Sequence, residues 1–145
     1  LLTDGKLYLT ANGEPSRAFY NKDEYALQQA VKNGFTVAAI TRGRNESIRE
    51  RLLGYGLHAV YMQSPDKLET FKEFLITFDL QPENVLYMGD DMPDMPVLEM
   101  CGVPTCPADA ATELKTFCPY VSPFTGGNGC VRDVIEQVLR LNGKW

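Results

Sequence analysis

The sequence predicts an α/β fold, a Rossmann-like three-layer sandwich in which a mainly parallel sheet carries helices on both faces. Three observations lead there. Short apolar runs of strand length recur at residues 35–40, 59–62, 85–88 and 103–106. Segments of helical spacing separate them through short links, which is how parallel strands are joined. Polar residues collect where the runs end, and ligands of such sheets bind beyond the carboxyl ends of the strands.

Taken in order, residues 7–10 and 17–20 flank Asn12-Gly13 and read as a β-hairpin, because that pair suits a left-handed turn. Residues 23–33 have helical spacing at Tyr25, Leu27, Ala30 and Val31, and Gly34 stops the helix. The run FTVAAI at 35–40 is continuous and apolar, as in a strand buried on both faces. A helix is expected over 46–53 with Asn45 as its N-cap. After the strand at 59–62, Ser64 as cap and Pro65 in the first turn open a helix that runs through residue 78. The strand at 85–88 leads into a helix over 92–100, and the strand at 103–106 into helices over 110–117 and 131–141.

A length of 145 residues suits one domain with one hydrophobic core. The net charge of -5 argues against nucleic acid or an anionic membrane as partner, since both need a basic face. An anionic ligand then requires a local basic pocket. Cys101, Cys106, Cys118 and Cys130 form no C-x-x-C pair and His58 is the lone histidine, so zinc fits poorly. A chain this rich in core residues does not need a disulfide framework, and reduced thiols in a cytoplasmic protein are expected. No apolar run approaches the ~20 residues of a membrane span, and no signal peptide is expected.

The chemistry gathers at the strand ends. Thr41 follows the first of the four runs, Lys67 the second, and Gly89-Asp90-Asp91 the third, with Asp94 three residues on. Carboxylates this close repel one another unless a positive charge balances them. A hard divalent cation does so, and magnesium suits oxygen ligands. Helix capping by Asp91 or Asp94 is the competing reading. Thr41 alone reads equally as a turn residue, and Lys67 alone as a solvated surface lysine. Together, a hydroxyl, an ammonium and metal-binding carboxylates on successive strand ends are what phosphoryl transfer needs.

In this order the residues resemble the motifs of the haloacid dehalogenase superfamily: Thr41 the second, Lys67 the third, and Gly89-Asp90-Asp91-Met92-Pro93-Asp94 the fourth. Further stretches are similar to the capless 3-deoxy-D-manno-octulosonate (KDO) 8-phosphate phosphatases, over essentially the whole chain. They are Leu2-Thr3-Asp4-Gly5, Lys22-Asp23, Pro107-Ala108-Asp109-Ala110, and the loop running from Gly126-Gly127-Asn128-Gly129 to Arg132-Asp133. The resemblance implies one capless domain over 1–145, with a hairpin protruding at about 6–20. It implies an aspartate nucleophile that forms an aspartyl-phosphate, and a second aspartate as general acid and base, both in a D-x-D-G segment. It implies Mg2+ held by Asp90, with Asp91 and Asp94 steadying the metal site from behind. In the family D-x-D-G directly precedes x-L-T-D-G, so it is expected upstream of Leu1, as the central strand of the sheet. Asp4 matches a later aspartate and is not the nucleophile. A natural pseudoenzyme is the rival reading.

The same resemblance implies hydrolysis of KDO-8-phosphate in lipopolysaccharide precursor synthesis. Within Thr41-Arg42-Gly43-Arg44, Arg44 is expected to meet the sugar carboxylate, which favours the eight-carbon substrate over KDN- or sialic acid 9-phosphate. Arg42 stands where the family has glycine and reads as solvated. Glu24 also departs from the family pattern. Lys22, Asp23, Gly126 and Gly127 are expected at the substrate, with helix capping by Asp23 and a flexible connector at the glycines as the other readings. Capless relatives close their sites by oligomerising, so a homotetramer built on the hairpin is implied. Leu7, Leu9, Phe19 and Tyr20 form a hairpin too small to bury its own face. A catalytically silent oligomerisation domain is the alternative from another class.

Overall fold

The structure, a computed structural model, describes residues 1–13 and 15–145; residue 14 of the expected hairpin lies outside the described residues. Strand β1 (Tyr8–Leu9) pairs antiparallel with β2 (Pro15–Ser16). The second arm expected at 17–20 is not strand. Those residues lead directly into α1 (Asn21–Lys32), which begins two residues earlier than its apolar spacing suggested.

The strands that follow are all parallel and reached through helices. β3 (Ala38–Ile40) is joined to β4 (Ala59–Tyr61) by α2 (Glu46–Gly54). Helix α3 (Lys67–Thr77) then leads to β5 (Leu86–Met88). Helix α4 (Met95–Met100) joins β5 to β6 (Val103–Cys106), and α5 (Thr112–Phe117) joins β6 to β7 (Tyr120–Val121). Helix α6 (Cys130–Leu141) closes the fold against α1. Parallel strands require such crossovers.

The period-two alternation of β3 divides its side chains between two layers. Ala38 and Ile40, with Tyr61 and Tyr87, pack on Phe71, Phe74, Val97 and Cys101 of α3 and α4. Val37 and Ala39, with Val60, pack on the cluster of Leu27, Leu52 and Leu57, which α1 and α2 help to form and against which Val131 and Ile135 of α6 also pack. Helices therefore cover both faces, and the expected three layers are present. Among the described residues no cap domain is inserted, and no helix is long and apolar enough to cross a membrane.

One expectation is corrected. The FTVAAI run shortens to a three-residue strand, and none of residues 35–40 is fully buried; the residues of β5 are likewise half-buried. The ladder is split into separate parallel pieces, β3-β4 and β5-β6-β7. Among the described residues, β3 and β5 each keep one free edge, and a free edge leaves a strand open to solvent.

Helix starts differ in the same physical spirit. Asn45 caps α2 as expected, its Oδ1 accepting from Ser47 N at 3.0 Å. Helix α3 is capped by Asp66 instead of Ser64: Asp66 Oδ1 accepts from Leu68 N at 2.9 Å and Glu69 N at 3.1 Å. A carboxylate is favoured at that positive helix end, and Lys67 thereby becomes the first residue of α3. The single helix expected over 92–100 is a 3-10 turn, Met92–Asp94, followed by α4, because Pro93 and Pro96 supply no N–H. The thiols of Cys118 and Cys130 are pushed up to about 12 by burial, which keeps them protonated and unreactive.

Glu24 finds a role at the α1–α2 contact. Its two carboxylate oxygens accept from Arg51 Nε at 2.8 Å and Arg51 Nη2 at 3.1 Å, and the guanidinium lies 5.7 Å from the rings of Phe19 and Tyr55. Arg51's hydrogen bonds hold the Glu24 carboxyl below its ordinary value of 4.5. A lowered carboxylate contributes stability above the unfolded value and loses it as pH falls through the folded one. Glu24→Gln is expected to cost about 1 kcal/mol at pH 7, modest because Arg51 is half exposed. Urea unfolding below pH 4 should show the deficit shrinking; an equal deficit at all pH values would exclude this ion pair as the cause.

Candidate active site

Hydrogen bonds, with one covalent link from Asp66 to Lys67, join the strand-end residues. Thr41, after β3, accepts at its carbonyl from Ser64 N at 3.0 Å. Ser64 Oγ donates to the carbonyl of Asp66, at 3.1 Å, beside Lys67. Lys67 Nζ donates to Asp94 Oδ1 at 2.6 Å, and Asp94 Oδ2 accepts from Asp90 N at 3.1 Å. Thr41, Lys67 and Asp90 thus occupy one rim, with Asp94 between the last two.

Asp94 is 1% exposed. Besides Lys67, its Oδ1 accepts from Tyr87 Oη at 2.7 Å, and its Oδ2 also accepts from Asp91 N at 3.3 Å. Both oxygens are committed twice, so Asp94 has no lone pair left for a metal. Burial pushes its carboxyl up, but the Lys67 ammonium and the Tyr87 phenol outweigh it and hold the group ionised. Gly89 makes the tight turn possible: a Cβ there would lie 2.5 Å from Asp94 Cβ.

Asp91 is exposed and its Oδ1 accepts from Met92 N at 2.8 Å, so the capping reading applies to it. Asp90 differs from both. Its side chain is 45% exposed, and among the described residues its only partner is the Leu1 ammonium, 3.2 Å from Oδ2. It opens on a pocket of about 430 Å³ lined also by Thr3, Asp4, Asp109 and Gly126. Magnesium needs only one or two protein carboxylates and completes its shell with water and phosphate. Asp90 fits that requirement. Among the described residues no group of three or more His, Cys, Asp or Glu side chains could cage an ion unaided.

The other expected site residues divide. Lys22 is exposed, its Nζ 5.9 Å from the Tyr20 ring centroid. Asp23 is corrected: it is fully buried, and its oxygens accept from Gly129 N at 3.2 Å and Arg132 N at 2.8 Å. It caps α6; burial pushes its carboxyl up against those two donors. Gly126 lines the Asp90 pocket and donates its N–H to Asp109 Oδ1 at 2.9 Å. Gly127 packs on backbone: its N donates to Leu1 O at 2.7 Å, and a Cβ would lie 2.6 Å from Asp4 N. Arg44 lies on a separate pocket with Arg42.

Sequence reasoning missed Tyr87 and left Asp109 without a role. Tyr87 looked like a strand interior residue, yet a buried tyrosine hydroxyl needs a partner, and Asp94, seven residues on, supplies it. Tyr87→Phe removes one donor from Asp94 and keeps the ring against Phe71. About a tenfold fall in kcat/KM is expected, with Tm shifted by only a few degrees. Unchanged kinetics would show that Lys67 alone suffices to hold Asp94.

Residues 54–134 match the model of the haloacid dehalogenase-like hydrolases. Over 144 residues the chain is 35% identical to the 3-deoxy-D-manno-octulosonate 8-phosphate phosphatase KdsC of Escherichia coli K12, covering 99% of this chain and 77% of that protein. This chain belongs to the KDO-8-phosphate phosphatase family of haloacid dehalogenase-like hydrolases. The crystal structure of the Yersinia pestis KDO-8-phosphate phosphatase superposes with a TM-score of 0.96 at 34% identity, over 99% of this chain and 78% of that one. A Moraxella catarrhalis family member, solved with magnesium, phosphate and KDO, superposes at 0.92 with 26% identity, over 97% of this chain and 80% of that one. In this phosphatase family member, the rim bearing Thr41, Lys67 and Asp90 is the candidate active site.

Proposed function

We propose that this protein hydrolyses KDO-8-phosphate to KDO and phosphate in the cytoplasm, with Mg2+ bound at Asp90. The observation that carries the reading is the hydrogen-bonded path from Thr41 through Lys67 and Asp94 to Asp90, in a chain 35% identical to a KDO-8-phosphate phosphatase along 99% of its length. The four free cysteines are in keeping with a reducing compartment.

Each side chain has a definite task in this reading. Thr41 Oγ1 accepts from Gly43 N at 3.0 Å, which leaves the hydroxyl hydrogen free for a phosphoryl oxygen. Lys67 presents its ammonium to a second phosphoryl oxygen, with Asp94 fixing where Nζ sits. Asp90 directs a carboxylate into the pocket whose partner, among the described residues, is Leu1 N alone. Magnesium, when bound there, supplies charge neutralisation on the phosphoryl group.

The nucleophile and the acid–base group are proposed to be aspartates of a D-x-D-G segment upstream of Leu1, on a strand lying between β3 and β5. Two features support this: the free parallel edges of β3 and β5, and the closeness of Leu1 N to Asp90. The nucleophile's carboxylate attacks phosphorus and the bond to the sugar oxygen breaks. The second aspartate protonates that oxygen, then takes a proton from the water that hydrolyses the aspartyl-phosphate. Residues 1–145 are read as one capless domain that assembles as a homotetramer. Leu7, Tyr8 and Leu9 stand 54%, 48% and 85% exposed on the hairpin, an apolar strip that a neighbouring copy would cover.

The test is phosphate release from KDO-8-phosphate by the polypeptide carrying the upstream segment, with and without magnesium, run beside KDN- and sialic acid 9-phosphate. Release that needs magnesium and prefers the eight-carbon substrate is expected. No release from any of the three sinks the reading. Light scattering on the same sample should give four chains per particle.

A further inference from the structure

The chain has seven arginines, and five are occupied. Arg17 reaches Thr3 Oγ1, Arg49 pairs with Glu46, Arg51 with Glu24, and Arg132 and Arg140 with Glu136. Arg42 and Arg44 alone, among the described residues, have neither an ion pair nor a hydrogen bond from the side chain. Both line one open pocket of about 530 Å³, with Gln63, Ser64 and Pro65. Two unshared guanidiniums on one wall repel each other until an oxyanion lies between them. In a chain of net charge -5 this is a local basic site against an acidic background.

The pocket is built, not merely lined. Gln63 has φ +52, one of two non-glycine residues in the left-handed region among the described residues. Backbone held in that region persists only where its surroundings enforce it, and it clusters at ligand sites. Here Gln63 N donates to Gly43 O at 3.0 Å, fastening the peptide between the two arginines to the β4–α3 loop. Gly43 N in turn donates to Thr41 Oγ1. The arginine pocket is therefore tied by single hydrogen bonds to Thr41 on one side, and through Ser64 to the start of α3 at Lys67 on the other.

We propose that Arg42, with Arg44 and Gln63, forms a second anion subsite that grips the carboxylate of a sugar-acid phosphate while its phosphoryl group lies at Lys67 and Asp90. This rests on the phosphatase reading above. The resemblance to the family points to Arg44 alone; Arg42 and Gln63 are assigned by the shared pocket and the strained backbone. Two forks can hold a carboxylate from both sides, where lysine would offer only a point charge.

Two measurements test it. The first is the ratio of kcat/KM for KDO-8-phosphate to that for a phosphomonoester without a carboxylate, p-nitrophenyl phosphate. Arg42→Ala is expected to lower this ratio by about tenfold or more through KM, and Arg42→Lys by less. Arg49→Ala, on the exposed face of α2, should leave it where it is. The second is calorimetric binding of free KDO, which needs no turnover: Arg42→Ala should weaken Kd by a similar factor. A ratio and a Kd unchanged in Arg42→Ala overturn the subsite. Wild-type hydrolysis that does not distinguish the two esters also overturns it, and leaves the phosphatase reading standing. KDO binding that depends on Arg42, without any phosphate release, does the reverse.

Discussion

Asp90→Asn is expected to lower phosphate release from KDO-8-phosphate by on the order of 10³-fold at saturating magnesium, with little change in Tm. The size follows from the loss of the carboxylate proposed to hold the metal, and with it a charge contribution of several kcal/mol in the transition state. The stability is spared for a separate reason. Asp90 is half exposed and, among the described residues, its side chain pairs only with Leu1 N, so asparagine strands no buried partner. Asp94 keeps its four contacts, since those from Asp90 and Asp91 come from backbone N–H groups that the substitution does not touch. The check is a magnesium titration of activity beside thermal unfolding. Near-normal turnover in Asp90→Asn would move the metal elsewhere and end the assignment.

Lys67→Met should combine loss of activity with loss of stability. The Lys67 and Asp94 side chains are 15% and 2% exposed, with Nζ 2.6 Å from Oδ1. Removing one member of a buried pair leaves an uncompensated charge, which typically costs about 3–5 kcal/mol. The pH dependence separates this from a packing defect. With lysine present, Asp94 is held below its ordinary value of 3.8, and the pair's contribution is lost only as pH falls through that lowered value. Without lysine, burial dominates and raises the Asp94 carboxyl. The variant's deficit should then narrow on acidification, as Asp94 takes up a proton. Lys67→Met/Asp94→Asn should recover much of the stability at pH 7 and none of the activity. A double variant as unstable as the single would show that methionine simply packs badly.

The two variants act on neighbouring carboxylates that looked alike in the sequence. Asp90, Asp91 and Asp94 were legible as an acidic cluster after a strand, and capping, one of the two readings of such a cluster, accounts for only one of the three. Asp91 caps, Asp90 stands half exposed on the pocket, and Asp94 is a buried strut under Lys67. Composition cannot separate these roles, because they depend on which N–H groups and which ammonium fold back onto each carboxylate. Tyr87 illustrates the same limit: its hydroxyl acquires meaning only through the turn at Gly89 that brings Asp94 back beneath β5.

Local order was settled in the chain itself. The alternation of short apolar runs with helical spacing specified parallel strands and crossovers, and strand-end polarity placed Thr41, Lys67 and Asp90 on one rim, since parallel strands present all their carboxyl ends to the same side. Asn45 as a cap was readable for the same reason, a contact two residues away. What only the tertiary structure decided depends on residues far apart in sequence. Asp23 went to the N-terminus of α6, more than a hundred residues on, and Glu24 to Arg51. The meeting of Arg42 with Gln63 in one pocket is likewise a product of assembly. Periodicity and capping act over a few residues and are written in the sequence. A buried charge finds its partner only when separate elements are brought together, and the cost of leaving it unpaired selects which partner that is.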